Sequence, residues 1–116
     1  MPPLCRNCGR PLKDDVVHFN EPIPNDVAQE SIEEAGKCDL MLICGTSAVV
    51  YPFAHLPRIA RERRLTAVDS SPSRVIIIEV NADPTPLTSE GISDYLIQGS
   101  TSDILPRIAE LVASIK

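Results

Sequence analysis

Three short apolar runs mark the strands of the predicted fold. Leu40–Cys44 is apolar at every position, residues 75–80 carry β-branched side chains at five of six positions, and Tyr95–Gln98 is a third, shorter run. Runs of this kind are typical of strands covered on both faces, as in a parallel sheet flanked by helices. We therefore expect Leu40–Cys44 to be a central strand.

Helical patterns lie between and after these runs. A first helix is predicted from Asn25 or Asp26, either of which can serve as N-cap, to Gly36 as its stop. A second is predicted from near Pro57, whose ring suits a first turn. A solvated face, and not a metal site, is the expected role of three acidic residues in the first helix: Glu30, Glu33 and Glu34.

The last helix is predicted from Ser102, which serves as its cap, and it tolerates Pro106 near its first turn. Residues 65–74 interrupt the pattern with a polar, turn-forming stretch that predicts a loop. Apolar side chains recur in the last helix at helical spacing: Ile104, Ile108, Leu111 and Ile115.

Each predicted strand ends on small or polar residues, and ligands of open α/β sheets bind beyond such ends. Gly45 has no Cβ, so another group can approach its backbone, and the Asn81 carboxamide can bond a ribose hydroxyl. From the residues alone, an ordinary turn is the favoured interpretation at Gly45–Ser47 and at Asn81. Hydroxyl side chains follow two of the strand ends: Thr46, Ser47, Ser100 and Thr101.

The amino-acid composition argues against several classes of function. The 116 residues allow one domain with a modest core. A net charge of −5 and 3% aromatic residues provide neither a basic field nor stacking platforms, which argues against nucleic-acid binding. The apolar runs are too short to cross a bilayer, and the first residues do not resemble a secretory signal. We expect a soluble, intracellular protein without a membrane partner.

The four cysteines occur in two unlike contexts. Cys5 and Cys8 form a CxxC followed by Gly9, which is typical of a zinc knuckle, although a coincidental pair of thiols stays open. A structural zinc site normally has four ligands, so this pair supplies half of one. Cys38 and Cys44 are more readily interpreted as small apolar core residues.

The stretch CDLMLICGTSAVVYP resembles the sirtuin segment CDLxLxxGTSxxVYP, from the NAD-dependent protein lysine deacylases. The similarity extends upstream, where CRNCGRPLKDDVVHFNEPIP resembles CxxCGxxLRPDVVxFGExLP, and downstream through IEVN, TPL, QG and ILP. Nearly the whole chain is covered, except for residues 65–74, which are expected to be an insertion.

This resemblance implies an α/β fold, a partial Rossmann-like open parallel sheet with flanking helices, preceded by half of a zinc-ribbon module. Residues 1–24 are then the remnant of the zinc module with the substrate-pairing segment, and residues 25–116 are the C-terminal half of the NAD-binding domain. The resemblance implies zinc ligands at Cys5 and Cys8, with zinc held by a half site. It implies NAD binding at Gly45, Thr46, Ser47, Asn81, Ser100 and Thr101.

The resemblance also implies an acylated-lysine protein or peptide as partner. In the family, the acyl group passes from lysine to the ribose of NAD with loss of nicotinamide. Asn20 departs from the pattern, because the family has Gly at that position, and Asn brings a side chain into a crowded place even though it tolerates left-handed backbone. The peptide-contacting residues implied are Val17, Phe19, Asn20, Glu21, Val49 and Val50.

Family members place their glycine-rich loop, their nicotinamide-positioning residues and their general-base histidine upstream of the second CxxC. His18 and His55 are the histidines of this sequence, and neither corresponds to the catalytic one. We therefore expect weak nucleotide binding and no turnover from this chain by itself. Two alternatives stay open, a non-catalytic nucleotide- or peptide-binding module and an interaction protein that completes its sheet with a second copy or another chain.

Overall fold

The computed structural model describes residues 1–66 and 75–115. Most of the predicted insertion at 65–74 lies outside the described residues, and its first two residues belong to the second helix. The elements, with a 3₁₀ turn at Phe53–His55, are α1 Asn25–Lys37, β1 Leu40–Cys44, α2 Leu56–Thr66, β2 Ile76–Asn81, α3 Pro86–Ser89, β3 Tyr95–Gln98 and α4 Thr101–Ser114.

The strands form a parallel sheet in the order β1-β2-β3, which confirms the predicted α/β class. The expectation that β1 is central is wrong within the described residues, because β2 lies between the other two. An all-apolar run predicts cover above and below a strand but carries no information about neighbours in the plane of the sheet. Leu40 and Leu42 are 58% and 43% exposed, so one face of β1 also lacks the cover we predicted.

The core lies on one face of the sheet. Ile43 and Ile77 project from β1 and β2 toward Ala60 of α2 and Leu87 of α3, and all four side chains are buried. Cys38 packs against this cluster, as expected for a small apolar residue, and Cys44 is half-buried. The helices that connect the strands therefore cover one face. On the other face Val80 is buried, whereas five apolar side chains are exposed: Leu40, Leu42, Ile76, Tyr95 and Ile97.

The helix caps differ from the prediction. Pro24 occupies the N-cap position of α1 and its carbonyl accepts from the Ala28 N–H at 3.1 Å, so neither predicted side-chain cap is used. The helix continues one residue past Gly36 to Lys37. Ser100 occupies the N-cap position of α4, which places Ser102 inside the helix. Caps depend on where the preceding chain enters a helix, and tertiary packing decides that point.

Asp94 forms hydrogen bonds and an ion pair at the amino end of the sheet. Its Oδ2 accepts from the Ile77 N–H at 2.9 Å, its own N–H donates to the Ile77 carbonyl at 2.7 Å, and its Oδ1 pairs with Arg61 of α2 at 3.2 Å. Arg61 also donates to the Ile92 carbonyl. These bonds join α2, β2 and the chain entering β3 at the amino end of the sheet.

Across the described ranges, no helix combines the length and the apolar character that a bilayer crossing needs.

Candidate functional site

The three strands end at the same edge of the sheet. We call this edge, with the turns at Gly45, Asn81 and Gly99, the rim. Because the sheet is parallel, Cys44 lies beside Val80, and Asn81 lies beside Gln98. The Gly45 N–H donates to the Val80 carbonyl at 2.9 Å, and the Gly99 N–H donates to the Asn81 carbonyl at 3.0 Å. The structure thus brings together the strand-end residues that the sequence placed far apart.

Gly45 makes the first turn of this rim with a φ of 62°. A Cβ at this position would lie 3.6 Å from Cγ2 of Thr101, so β1 and the start of α4 approach closely. The Thr46 hydroxyl accepts from the Ala48 N–H at 3.1 Å and closes the next turn. Thr46 and Ser47 are both exposed at the rim, where their hydroxyls are accessible to a polar ligand.

Asn81 is half-buried as the last residue of β2. Its Nδ2 donates to the Asp83 carbonyl at 2.9 Å, which holds the side chain over the turn that follows. That bond uses one of the two N–H groups of the amide, and Oδ1 is the atom that can accept from a ligand hydroxyl.

The start of α4 closes the rim beyond β3. Gly99 makes the turn, and the hydroxyls of Ser100 and Ser102 lie 2.6 Å apart. The first N–H groups of a helix have no partner within the helix, and they carry partial positive charge. Ser100 and Thr101 therefore lie where a helix offers donors to an anionic or polar group, next to Gly45.

The two predicted peptide segments are exposed and irregular. Phe19 is 87% exposed, and the Glu21 N–H donates to the His18 carbonyl at 3.0 Å in a turn. Asn20 has a φ of 69°, so it adopts the left-handed conformation that a Gly at that position would favour. Val17 and Glu21 are exposed beside it.

Val49 and Val50 are exposed by 53% and 62%, and they lie outside the described strands. The Val50 carbonyl accepts from the Ala54 N–H at 3.0 Å, which ties this segment to the turn before α2. Among the described residues, the two peptide segments form no hydrogen bond with each other. The Glu21 N–H and the Val50 carbonyl are instead bonded within their own parts of the chain.

Cys5 and Cys8 lie in a tight turn. The Gly9 N–H donates to the Cys5 carbonyl and the Cys5 N–H to the Arg10 carbonyl, each at 2.8 Å, beside an antiparallel bridge between Leu4 and Pro11. Hydrogen bonds from the backbone N–H groups of Cys8 and Asn7, with one from the Cys8 thiol, lower the pKa of Cys5 from its ordinary 9.0.

A lowered thiol pKa favours the thiolate that binds metal. Within the part of the chain that the structure describes, no third Cys, His, Asp or Glu joins the pair as a ligand group. The residues thus fit half of a tetrahedral zinc site and not a whole one.

The two histidines lie away from the rim. His18 is exposed, with its Nε2 3.6 Å from Oδ1 of Asp14. The His55 ring lies 6.4 Å from that of Tyr51, and both border a mainly apolar cavity of about 340 Å³ between α1 and α2. Neither imidazole belongs to the Gly45, Asn81 or Gly99 turn.

Sequence reasoning missed one feature of this region, the buried carboxylate of Glu79. Its side chain is fully buried in β2 and accepts hydrogen bonds from the hydroxyls of Thr85, Thr88 and Ser93. The signal was an acidic residue in an otherwise apolar strand, followed within fourteen residues by four hydroxyl side chains, of which three bond to it. The short helix α3, which carries two of these hydroxyls, was not predicted either.

The known proteins that this chain matches belong to one family. The model of the Sir2 family matches residues 1–52. NAD-dependent protein deacylase 2 of Pyrobaculum aerophilum is 41% identical over 112 residues, which are 97% of this chain and 40% of that protein. A solved Sir2 homologue in complex with NAD superposes with a TM-score of 0.75 at 35% identity, covering 97% of this chain and 40% of the other. These matches support a sirtuin-family fragment.

A second solved sirtuin, Sir2Af2 bound to a myristoylated histone peptide, is 38% identical with a TM-score of 0.71. It is covered over 45% of its length by 98% of this chain. The chain thus spans less than half the length of the sirtuins that it matches. The resemblance stated from the motifs is confirmed, and so is the Rossmann-like α/β character of the sheet.

Proposed function

We propose that this chain carries the adenosine side of the NAD site and one wall of the acyl-lysine peptide cleft of a sirtuin-type NAD-dependent protein deacylase. The observation that supports the first part best is the rim itself. Gly45, Asn81 and Gly99 end three parallel strands and are tied together through the Val80 and Asn81 carbonyls. Relatives named as NAD-dependent deacylases share this part of the chain.

The rim matches the chemistry of an adenosine ribose with its phosphate. Asn81 presents an amide oxygen to a sugar hydroxyl, whereas Thr46, Ser47 and Ser100 present hydroxyls to polar groups. Thr101 begins α4, whose first N–H groups favour an anion. We infer weak binding, since the described part of the chain offers one side of a nucleotide cleft.

Calorimetric titration with ADP-ribose tests this proposal. We expect weak, saturable binding that Asn81→Ala lowers by roughly two- to tenfold, the effect of one lost hydrogen bond. Asn25→Ala is the matched control, because Asn25 lies at the first turn of α1 and outside the rim. Binding that is undetectable for the wild-type chain, or that is equal in the two variants, refutes the nucleotide assignment.

For the peptide wall, the proposal rests on exposed backbone and side chains in two segments, residues 16–21 and 49–50. An extended peptide can pair with such backbone, and neighbouring apolar side chains provide specificity. The named residues are Val17, Phe19, Asn20 and Glu21 on one side and Val49 and Val50 on the other.

Fluorescence anisotropy with an acetyl-lysine peptide tests this proposal. Binding should weaken in Val50→Asp but not in Val112→Asp, because Val112 is an equally exposed valine of α4.

We also propose that this chain by itself does not remove acyl groups. A positioned base contributes roughly 10²–10⁴-fold to such a reaction, and both imidazoles lie outside the rim turns. An assay of nicotinamide release with acetyl- and succinyl-lysine peptides should give no signal above buffer. Activity proportional to added protein, and lost in His18→Ala, would reinstate His18 as a base.

A second candidate function is that of an interaction protein that completes its sheet with another chain, including a copy of itself. The exposed apolar face of β1 and β2 favours it, with Leu40, Leu42 and Ile76 each more than 40% exposed. Among the described strands, β1 pairs on one side only, and such edges recruit further strands. Sedimentation velocity of the wild-type chain and of Leu42→Glu tests this second function.

A further inference from the structure

Glu79 is a charged side chain in the most buried strand of the sheet. It is fully buried on β2, where its neighbours across the sheet are Ile43 and Leu96. Acidic residues are rarely buried in this way unless other groups satisfy their oxygens. The contacts of this carboxylate therefore indicate its role.

Three hydroxyls donate hydrogen bonds to the Glu79 carboxylate, and all three belong to the connection between β2 and β3. Oε1 accepts from Thr85 at the N-cap of α3, while Oε2 accepts from Thr88 within α3 and from Ser93, at 3.0 Å, just before β3. Thr88 Oγ1 accepts in turn from the Thr85 N–H at 3.2 Å. One carboxylate thus holds the beginning, middle and end of this connection.

The connection starts at the rim. Asn81 follows Glu79 by two residues and projects from the same face of β2, because side chains in a strand alternate. Its Nδ2 bonds the Asp83 carbonyl, in the turn that leads directly to Thr85. This turn is therefore fixed at one end by Asn81 and at the other by the bond between Thr85 and Glu79.

We propose that Glu79 is a positioning residue for nucleotide recognition. By holding Thr85 it fixes the turn at residues 82–84, and that turn orients the Asn81 amide so that Oδ1 faces a ribose hydroxyl. The inference rests on the proposed function, because it requires the rim to hold an adenosine ribose. In this proposal Glu79 does not touch the ligand, but it sets the preference of the site for ribose hydroxyls.

Glu79→Gln is the first test because it keeps the shape and changes the hydrogen-bonding chemistry. A carboxylate accepts at both oxygens, whereas a carboxamide accepts at one and donates from the other end. One of the hydroxyls of Thr85, Thr88 and Ser93 must then turn away or exchange roles.

The readout is a preference between two ligands. Calorimetry compares ADP-ribose with the analogue whose adenosine ribose lacks both hydroxyls. The wild-type chain should prefer ADP-ribose by roughly fivefold, the effect of one hydrogen bond. Asn81→Ala and Glu79→Gln should each abolish that preference, and the double variant should match either single one, because both changes remove the same interaction.

Asp94→Asn is the matched control. It also converts a carboxylate bound to β2 into an amide, but it does so at the amino end of the strand, beside Ile77 and Arg61. A purely structural disturbance of β2 would affect ligand binding in both variants alike. We expect Asp94→Asn to retain the preference for ADP-ribose.

A second pair of variants covers the case in which Glu79→Gln does not fold. Thr85→Val removes the hydroxyl nearest the turn and should abolish the preference, whereas Thr85→Ser keeps the hydroxyl and should retain it. A folded Glu79→Gln or Thr85→Val protein that still prefers ADP-ribose overturns the inference and leaves the proposed function intact. A wild-type chain that binds neither ligand, or both equally, refutes the proposed ribose contact and the inference together.

Discussion

Gly45 and Gly99 form two of the turns at the rim, with φ angles of 62° and 152°. A side chain at either position is strained, and at Gly99 a Cβ would also lie 2.6 Å from Cδ1 of Ile104. The rim thus depends on two residues whose contribution is the absence of a side chain. The space that a Cβ would take is bordered by Thr101 beside Gly45 and occupied by Ile104 beside Gly99.

Gly45→Ala should lower the free energy of unfolding by about 1–2 kcal/mol, the cost of placing an L-residue in left-handed backbone. Urea denaturation of the ligand-free chain measures this. Gly36→Ala is the control, because Gly36 lies within α1 with no atom near its missing Cβ, and Ala favours a helix. We expect Gly36→Ala to leave stability equal or higher, and equal losses in the two variants would contradict the argument.

The Cys5 thiol should ionise at lower pH in the folded chain than in the unfolded one, because the backbone N–H groups of Cys8 and Asn7 bond its thiolate. With the folded pKa lowered from 9.0, the resulting stabilisation is present above the unfolded pKa and is lost as pH falls through the folded pKa. Iodoacetamide labelling of the metal-free protein, mapped by mass spectrometry across pH, checks this. The labelling profile of Cys5 should shift to higher pH in urea, and identical profiles would exclude the effect.

At the scale of elements, the strands were predictable and the helix ends were not. Leu40–Cys44 and Tyr95–Gln98 were assigned with the observed bounds because each is a short, mostly apolar run that ends directly before a glycine. The cap of α1 was placed on Asn25 or Asp26, whereas Pro24 occupies it. A polar residue near a helix start indicates a cap only when the incoming chain leaves its side chain free, and this depends on contacts distant in sequence.

In the candidate site, too, one part could be predicted from the sequence and another could not. Asn81 could be placed at a strand end from its position after a β-branched run, and parallel strands bring such ends together. Glu79 was overlooked, because its partners lie up to fourteen residues away in an element that was itself not predicted. Periodicity locates a residue on a face of a strand, but the hydroxyls that meet it there depend on the fold of the following connection.

The packing of α2 on the sheet gives a prediction of its own. Ala60 is fully buried against Ile43, Ile77 and Leu87, so a larger side chain at this position has no free volume. Ala60→Leu should cost about 1–3 kcal/mol of stability through overpacking. Ala109→Leu, on the exposed surface of α4, should change stability little. Thermal unfolding followed by circular dichroism compares them, and a neutral Ala60→Leu would mean that α2 is loosely packed.

At the scale of the whole molecule, the chain exposes more surface than its mass predicts. Its accessible surface is 8941 Å², whereas a compact monomer of 12.6 kDa is expected to expose about 6,200 Å². Part of the excess is apolar, on the face of the sheet opposite the core and along the end of α4, where Leu111 and Val112 are each 63% exposed. Sirtuin relatives, which are more than twice as long, have further chain available to cover such surface.

We therefore expect the isolated chain to self-associate. Exposed apolar surface on this scale and a strand that pairs on one side favour contact between copies, and a net charge of −5 opposes it weakly at physiological salt. Sedimentation velocity should show dimers or larger species whose fraction rises with protein concentration. Leu42→Glu places a charge on the exposed face of β1 and should shift the distribution toward monomer. Leu12→Glu, at a similarly exposed leucine outside the sheet, should not. A monodisperse wild-type monomer that unfolds cooperatively would show that this face needs no partner.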